Sequence, residues 1–194
     1  ANLQVNNVAQ VTYGTTILDM AYDYSTHTMY ALGYTTLNMY FSYVYLYKID
    51  LNTGTVNQVG TKQITGTRTS LSVSTLACDL EGNLYCVERG NAFAELYKIE
   101  LVDGEPVCTC IGNTGFGSAN TNLSSMAFDH NTETLYWANC YNYGMSDSPE
   151  NYQHSLIRLD LTTGEGTELG QIEGFETVGL YIPYDRAGTT EQVC

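Results

Sequence analysis

The first residues in this chain that could do chemistry are carboxylates at a repeated place. Asp23, Asp79 and Asp129 each close a four-residue string: Met20-Ala21-Tyr22-Asp23, Leu76-Ala77-Cys78-Asp79 and Met126-Ala127-Phe128-Asp129. Such a carboxylate can hold a metal or move a proton. Standing before a turn it has a simpler use, accepting bonds from backbone N–H groups two residues on. Lys48, Lys98 and Arg158 occupy a second repeated place and are three of only seven basic residues. Each stands two residues before an acid on the same strand face, Asp50, Glu100 or Asp160. That spacing suits a structural ion pair between the edges of neighbouring repeats more than an anion site.

The other reactive types do not converge. His27, His130 and His154 have no spacing that implies a shared site, and His27 and His130 fall in equivalent turns where solvent exposure is expected. The six cysteines are Cys78, Cys86, Cys108, Cys110, Cys140 and Cys194, which do not make a small disulfide framework in a chain of 194 residues. Cys78 and Cys86 are equidistant from Gly82 and could face each other across a hairpin, or simply be two buried thiols. Cys108 and Cys110 share a strand face, but their spacing and the lack of a nearby His speak against zinc. P-loop, HExxH, GxSxG and EF-hand sequences are absent. No catalytic residue, metal site or cofactor is expected.

Tyrosine stands out instead, with 17 copies. Two variable loops, 33–43 and 141–154, are rich in Tyr and Asn and supply the candidate binding residues Tyr34, Tyr40, Tyr43, Tyr141, Tyr143 and Tyr152. A tyrosine ring is a flat apolar platform with a polar tip, suited to stacking on sugars or to protein contact at low entropic cost. The competing reading is that part of each loop extends its strands and packs.

The elements that must position these loops are strands. After each repeated Asp comes a turn and then a second strand opening at Met29-Tyr30, Leu84-Tyr85 or Leu135-Tyr136. A third strand follows the variable loop: Leu46-Tyr47-Lys48-Ile49-Asp50-Leu51, Leu96-Tyr97-Lys98-Ile99-Glu100-Leu101 and Leu156-Ile157-Arg158-Leu159-Asp160-Leu161. Each runs into a glycine turn at Gly54, Gly104 or Gly164, and a fourth strand ends at Val59-Gly60, Ile111-Gly112 or Leu169-Gly170. Four antiparallel strands in roughly 50 to 60 residues, repeated with turns at matching offsets, predict β-propeller blades rather than a sandwich. The expected class is all-β, with blade 1 at about 17–60, blade 2 at about 73–112 and blade 3 at about 123–170. Partial blade strands are expected at 3–14 and 177–184. The variable loops share one face of such a disc with the connections 61–72 and 113–122.

Composition agrees with this architecture. Charged residues make up only 14% of the chain, against 18 glycines and 43% hydrophobic residues, a balance that favours strands and turns. The formal net charge of −14 repels phosphate backbones and anionic headgroups, so nucleic acid is excluded as a partner, and no apolar run is long enough for membrane insertion. The N-terminal Ala1-Asn2-Leu3-Gln4 lacks the basic and apolar regions of a signal peptide, so any export signal is expected to have been removed. Three blades cannot close a ring, and bare strand edges invite association. Either the termini pair into a reduced fourth blade, or two chains complete one ring as a homodimer, or these residues come from a longer parent.

The pattern Ala-x-Asp, turn, Leu-Tyr, then Leu-Tyr-Lys-Ile-Asp-Leu-x-Thr-Gly resembles the blades of bacterial extracellular propellers related to the NHL and YVTN-type repeats, over residues 17 to 172. The resemblance implies a secreted or cell-surface protein of adhesive character, binding a protein or a glycan. Lactonase-type propellers hold an axial calcium with acidic and amide ligands at first-strand starts, where this chain has Ile17, Val73 and Leu123. The alternatives are a propeller hydrolase or lyase acting on a carbohydrate or lactone, which would need paired axial carboxylates, and a structural self-assembling module.

Overall fold

The computed structural model describes residues 16–38, 41–64, 73–88, 93–117, 124–142, 152–172 and 179–184. Among the described residues the chain is all-β without a helix. Its strands form three antiparallel four-stranded sheets, each a meander in chain order. The first sheet holds β1 (Thr16–Asp23), β2 (Thr28–Asn38), β3 (Phe41–Ile49) and β4 (Val56–Gln58). The second holds β5 (Ala77–Cys78), β6 (Leu84–Glu88), β7 (Glu95–Val102) and β8 (Glu105–Asn113). The third holds β9 (Ser125–Asp129), β10 (Thr134–Asn142), β11 (Tyr152–Leu159) and β12 (Gly166–Ile172).

Turn chemistry sets these boundaries. Asp23 Oδ1 accepts the Ser25 N–H at 2.8 Å, Asp79 Oδ1 accepts those of Glu81 and Asn83 at 3.0 and 2.8 Å, and Asp129 Oδ1 accepts that of Asn131 at 2.9 Å. The repeated carboxylates therefore serve the turns, as their place before them predicts. Asp50 and Asp160 do the same for Asn52 and Thr162 at the next hairpin, where Gly54, Gly104 and Gly164 adopt φ of 72°, 80° and 80°. Turns absorb Asp50 and Asp160, and among the described residues the expected ion pairs between neighbouring repeats are replaced by local contacts. Lys98 Nζ lies 3.1 Å from Glu100 in its own strand, and Lys48 stands over the Tyr30 ring, 5.4 Å from its centroid.

The Asp79 turn also corrects the cysteine register. Because Asp79 captures both Asn83 and Glu81, the hairpin centres on Glu81, and Cys78 stands opposite Leu84 while Cys86 stands opposite Tyr97. The two thiols do not face each other, and both are free.

Apolar packing joins the sheets in chain order. Leu32, Leu46 and Ile64 of the first unit meet Leu76, Cys86 and Ile99 of the second in one buried cluster. The opposite face of the second sheet, with Tyr85, Val87 and Leu96, meets Phe128, Leu135, Trp137 and Ile157 of the third. Covered on both sides, β6 is buried at all five of its positions, from Leu84 to Glu88. Each junction has a glycine at the end of a fourth strand. Gly60 lies against Gly104 and Glu105, and Gly112 lies beside Gly164 and so close to the Thr163 carbonyl that a Cβ would collide with it. Glu105 seals the first junction, accepting bonds from Thr61 N at 2.8 Å and Lys62 N at 2.9 Å.

At the other edge of each sheet, β1, β5 and β9 all touch one another. This hub is where the candidate site lies. β5 is shorter than the predicted strand, with Val73 adding only an isolated bridge to Glu88. The reason is local: the Thr75 hydroxyl accepts the Val87 N–H at 3.1 Å, taking a bond that a regular ladder would give to backbone.

Candidate functional site

Four residues before each turn aspartate stand Asp19 in β1, Thr75 just ahead of β5 and Ser125 in β9. Asp19 ties the hub together. Its Oδ2 accepts the Leu76 N–H at 2.9 Å and the Met126 N–H at 3.3 Å, and the Ser125 hydroxyl lies 3.3 Å from both carboxylate oxygens. Ser125 Oγ in turn accepts the N–H of Leu180 at 3.2 Å. One carboxylate thus reaches all three repeat units and, through a hydroxyl, the 179–184 segment. Burial raises its pKa to about 6, outweighing the hydrogen bonds that favour the charged form.

One layer nearer the turns, the inner strands surround a cavity of about 230 Å³. Met20, Leu76, Met126 and Ile182 line it, followed by Tyr22, Cys78 and Phe128, with Tyr181 and His130 also in its wall. Ile182-Pro183-Tyr184 matches Met20-Ala21-Tyr22 in sequence, so the 179–184 segment is a fourth copy of the inner-strand string. It forms no strand among the described residues. Tyr184 nonetheless packs against Tyr24 of the first unit and His130 of the third, with ring centroids 5.1 and 5.2 Å away, and Asn131 Nδ2 donates to the Pro183 carbonyl at 3.0 Å. The segment lies where the first and third units approach each other.

His130 is not the solvent-exposed turn residue that its sequence position predicts. Convergence of the inner strands packs its ring against Tyr24, Phe128 and Tyr184, with centroids 4.9, 5.3 and 5.2 Å away. Nε2 lies 2.9 Å from the Cys78 carbonyl, which can only accept, so Nε2 carries the proton. Burial lowers the imidazole pKa, and Nδ1 has no hydrogen-bond partner among the described residues. His27, in contrast, is exposed, with Nδ1 3.2 Å from the Tyr22 hydroxyl.

The chain matches no protein-family model and no curated protein. The chemistry of the site is therefore read from its own residues. Methionine, aliphatic and aromatic walls make an adaptable apolar receptacle. Asp19 acts as a clamp, since strand amides and Ser125 occupy its oxygens. Among the described residues, no group of three His, Cys, Asp or Glu side chains is arranged to hold a metal ion.

The described loop tyrosines lie away from this cavity. Tyr34 is in β2, opposite Val44, and is partly buried against the core between the first two sheets. Tyr43 stands opposite Thr35 in β3, one position out of step with Tyr34, so the two side chains leave opposite faces of the sheet. Tyr141 and Tyr152 lie in β10 and β11, paired with Gln153 and Asn142, and their side chains fall outside the description. Tyr40 and Tyr143 lie outside the described residues, as do 3–14 of the expected partial strands.

Two polar pairs have no signature along the chain because strand register creates them. Cys140 and His154 are cross-strand partners, Sγ 3.7 Å from Nε2, and both are buried. Glu88 stands opposite Glu95 across β6 and β7, where Glu95 accepts the Tyr97 hydroxyl at 2.8 Å. The signal for both was pairing geometry, which follows only once the hairpin centres are known. Asp19 had a different signal: it is the odd residue at a place filled by Thr and Ser in the other copies.

Proposed function

We propose that the three sheets are blades of a β-propeller and that the module binds a protein or glycan outside the cell, taking an apolar or aromatic group of that partner into the axial cavity. The observation that carries this reading is the cavity itself. Residues from four copies of one string, Met20, Leu76, Met126 and Ile182, converge on about 230 Å³ of space beside a single shared carboxylate. Binding sites are concave, mostly apolar and few in number, and repeat proteins build them where equivalent positions meet. Met20 is 52% exposed and Tyr181 73% exposed, which leaves contact surface for a partner at the mouth. The extracellular setting is supported by the blade resemblance. By strand direction, the described strand ends that flank the tyrosine-rich loops, Asn38 and Phe41 in the first sheet and Asn142 and Tyr152 in the third, lie at the opposite end of the hub from the cavity.

Arrays of glycans and peptides probed with the chain test this. Met20→Trp, which fills the cavity, is expected to abolish capture, while joint replacement of Tyr34, Tyr40, Tyr141 and Tyr143 by Ala leaves it largely intact. The reverse pattern would move the site to the loop face. Capture of nothing by a folded chain would sink the binding reading.

A further inference from the structure

We infer that the axial cavity is a site for a hydrophobic cation, an ammonium group on a small alkyl or aryl body. This rests on the reading of that cavity as the binding site. Two independent features point to it. The wall is lined by aromatic side chains and soft sulfur: Tyr22, Phe128 and Tyr181 with Met20 and Met126. Aromatic faces attract a cation through their quadrupole, most strongly where water is displaced.

The second feature is the field. Asp23, Asp79 and Asp129 directly follow the wall residues Tyr22, Cys78 and Phe128, and no Lys or Arg lines the cavity among the described residues. Their charge acts on the wall itself. Asp23 and Asp79 help burial push the Cys78 thiol up, while Asp129 and Asp79 act to favour the protonated form of His130, against a stronger desolvation. Asp23 and Asp129 are held below the ordinary carboxylate range by their turn hydrogen bonds, so they remain ionised near neutral pH. A neutral apolar ligand gains nothing from this field and an anion is repelled. An ammonium group gains from both wall and field.

Choline and its neutral carbon isostere, dimethylbutanol, in which carbon replaces the quaternary nitrogen, separate shape from charge. Each is titrated into the intact chain and followed through the methyl resonances of Met20 and Met126. Choline is expected to shift both methyls, to bind about tenfold more tightly than the alcohol, and to weaken as salt is raised. Tyr181→Ala, at an exposed position, is expected to lower choline affinity about threefold and that of the alcohol by less. Equal binding of the two ligands would overturn the cation inference and leave the cavity as an apolar site. Binding of neither, in a chain with native methyl dispersion, would overturn both. A short peptide carrying trimethyl-lysine identifies the source: tighter binding than choline indicates a protein side chain, and weaker binding a free amine.

Discussion

At the scale of single residues, Asp19 is the most consequential side chain. Its carboxyl is held in the hub by Met20 N on its own strand, Leu76 N on the segment leading into β5, and Ser125 and Met126 N on β9. Desolvation nevertheless dominates and lifts the pKa from 3.8 to about 6. A carboxyl with a raised folded-state pKa contributes stability that is fully present below pH 3.8 and is lost as pH rises through about 6. Asp19→Asn keeps the shape and an accepting oxygen but cannot ionise. Urea unfolding of both chains from pH 4 to 7.5 is therefore expected to show the variant gaining on the parent by on the order of 2–3 kcal/mol across that window. Parallel stability curves would show that burial does not govern this group. The chemistry of the turn aspartates was legible in sequence because a turn needs only local backbone. Asp19 was not, because its partners lie in other repeats.

At the scale of elements, the repeat was legible and its junctions were not. Third strands such as Leu96–Leu101 and turn glycines such as Gly104 announce themselves by spacing, since strand alternation and positive φ are local demands. The truncation of β5 depends on one hydroxyl, Thr75, reaching Val87, and in sequence Thr75 looks interchangeable with Ser125. The glycines that end the fourth strands likewise look alike in sequence but differ in surroundings. Gly112 meets the Thr163 carbonyl and Gly164 of the next unit, whereas at Gly170, the same repeat place, a Cβ would meet nothing within 4 Å among the described residues. Gly112→Ala is accordingly expected to cost about 2 kcal/mol or more by forcing the second and third sheets apart, and Gly170→Ala no more than about 0.5 kcal/mol. Thermal or urea unfolding of the two variants decides this. Similar losses at both positions would mean that backbone conformation, not the junction, sets the demand for glycine.

At the scale of the whole molecule, what matters is whether three similar sheets behave as three pieces or as one. All-β character and the four-stranded units could be read from periodicity. The hub could not, because it is built from residues that differ between copies: an acid, two hydroxyls and a histidine turned inward. Nearest-neighbour packing alone would couple the first sheet to the third only through the second, as in a linear array. The hub adds a direct link, since Asp19 of β1 bonds Met126 of β9 and Tyr24 packs on His130. The single tryptophan, Trp137, is fully buried between the second and third sheets and reports on that side only. Leu46, also fully buried, lies in the other cluster, between the first and second sheets. Leu46→Ala should remove about 2–5 kcal/mol from the first junction. If the hub makes one cooperative body, that loss will shift the urea transition seen by Trp137 fluorescence as far as the one seen by far-ultraviolet circular dichroism. A linear array predicts otherwise: the dichroism transition would broaden and begin earlier, while the Trp137 signal stayed near its parent midpoint. Adding Asp19→Ala to Leu46→Ala then isolates the direct link, because loss of the carboxylate should separate the two transitions only if it carries the coupling between the first and third sheets.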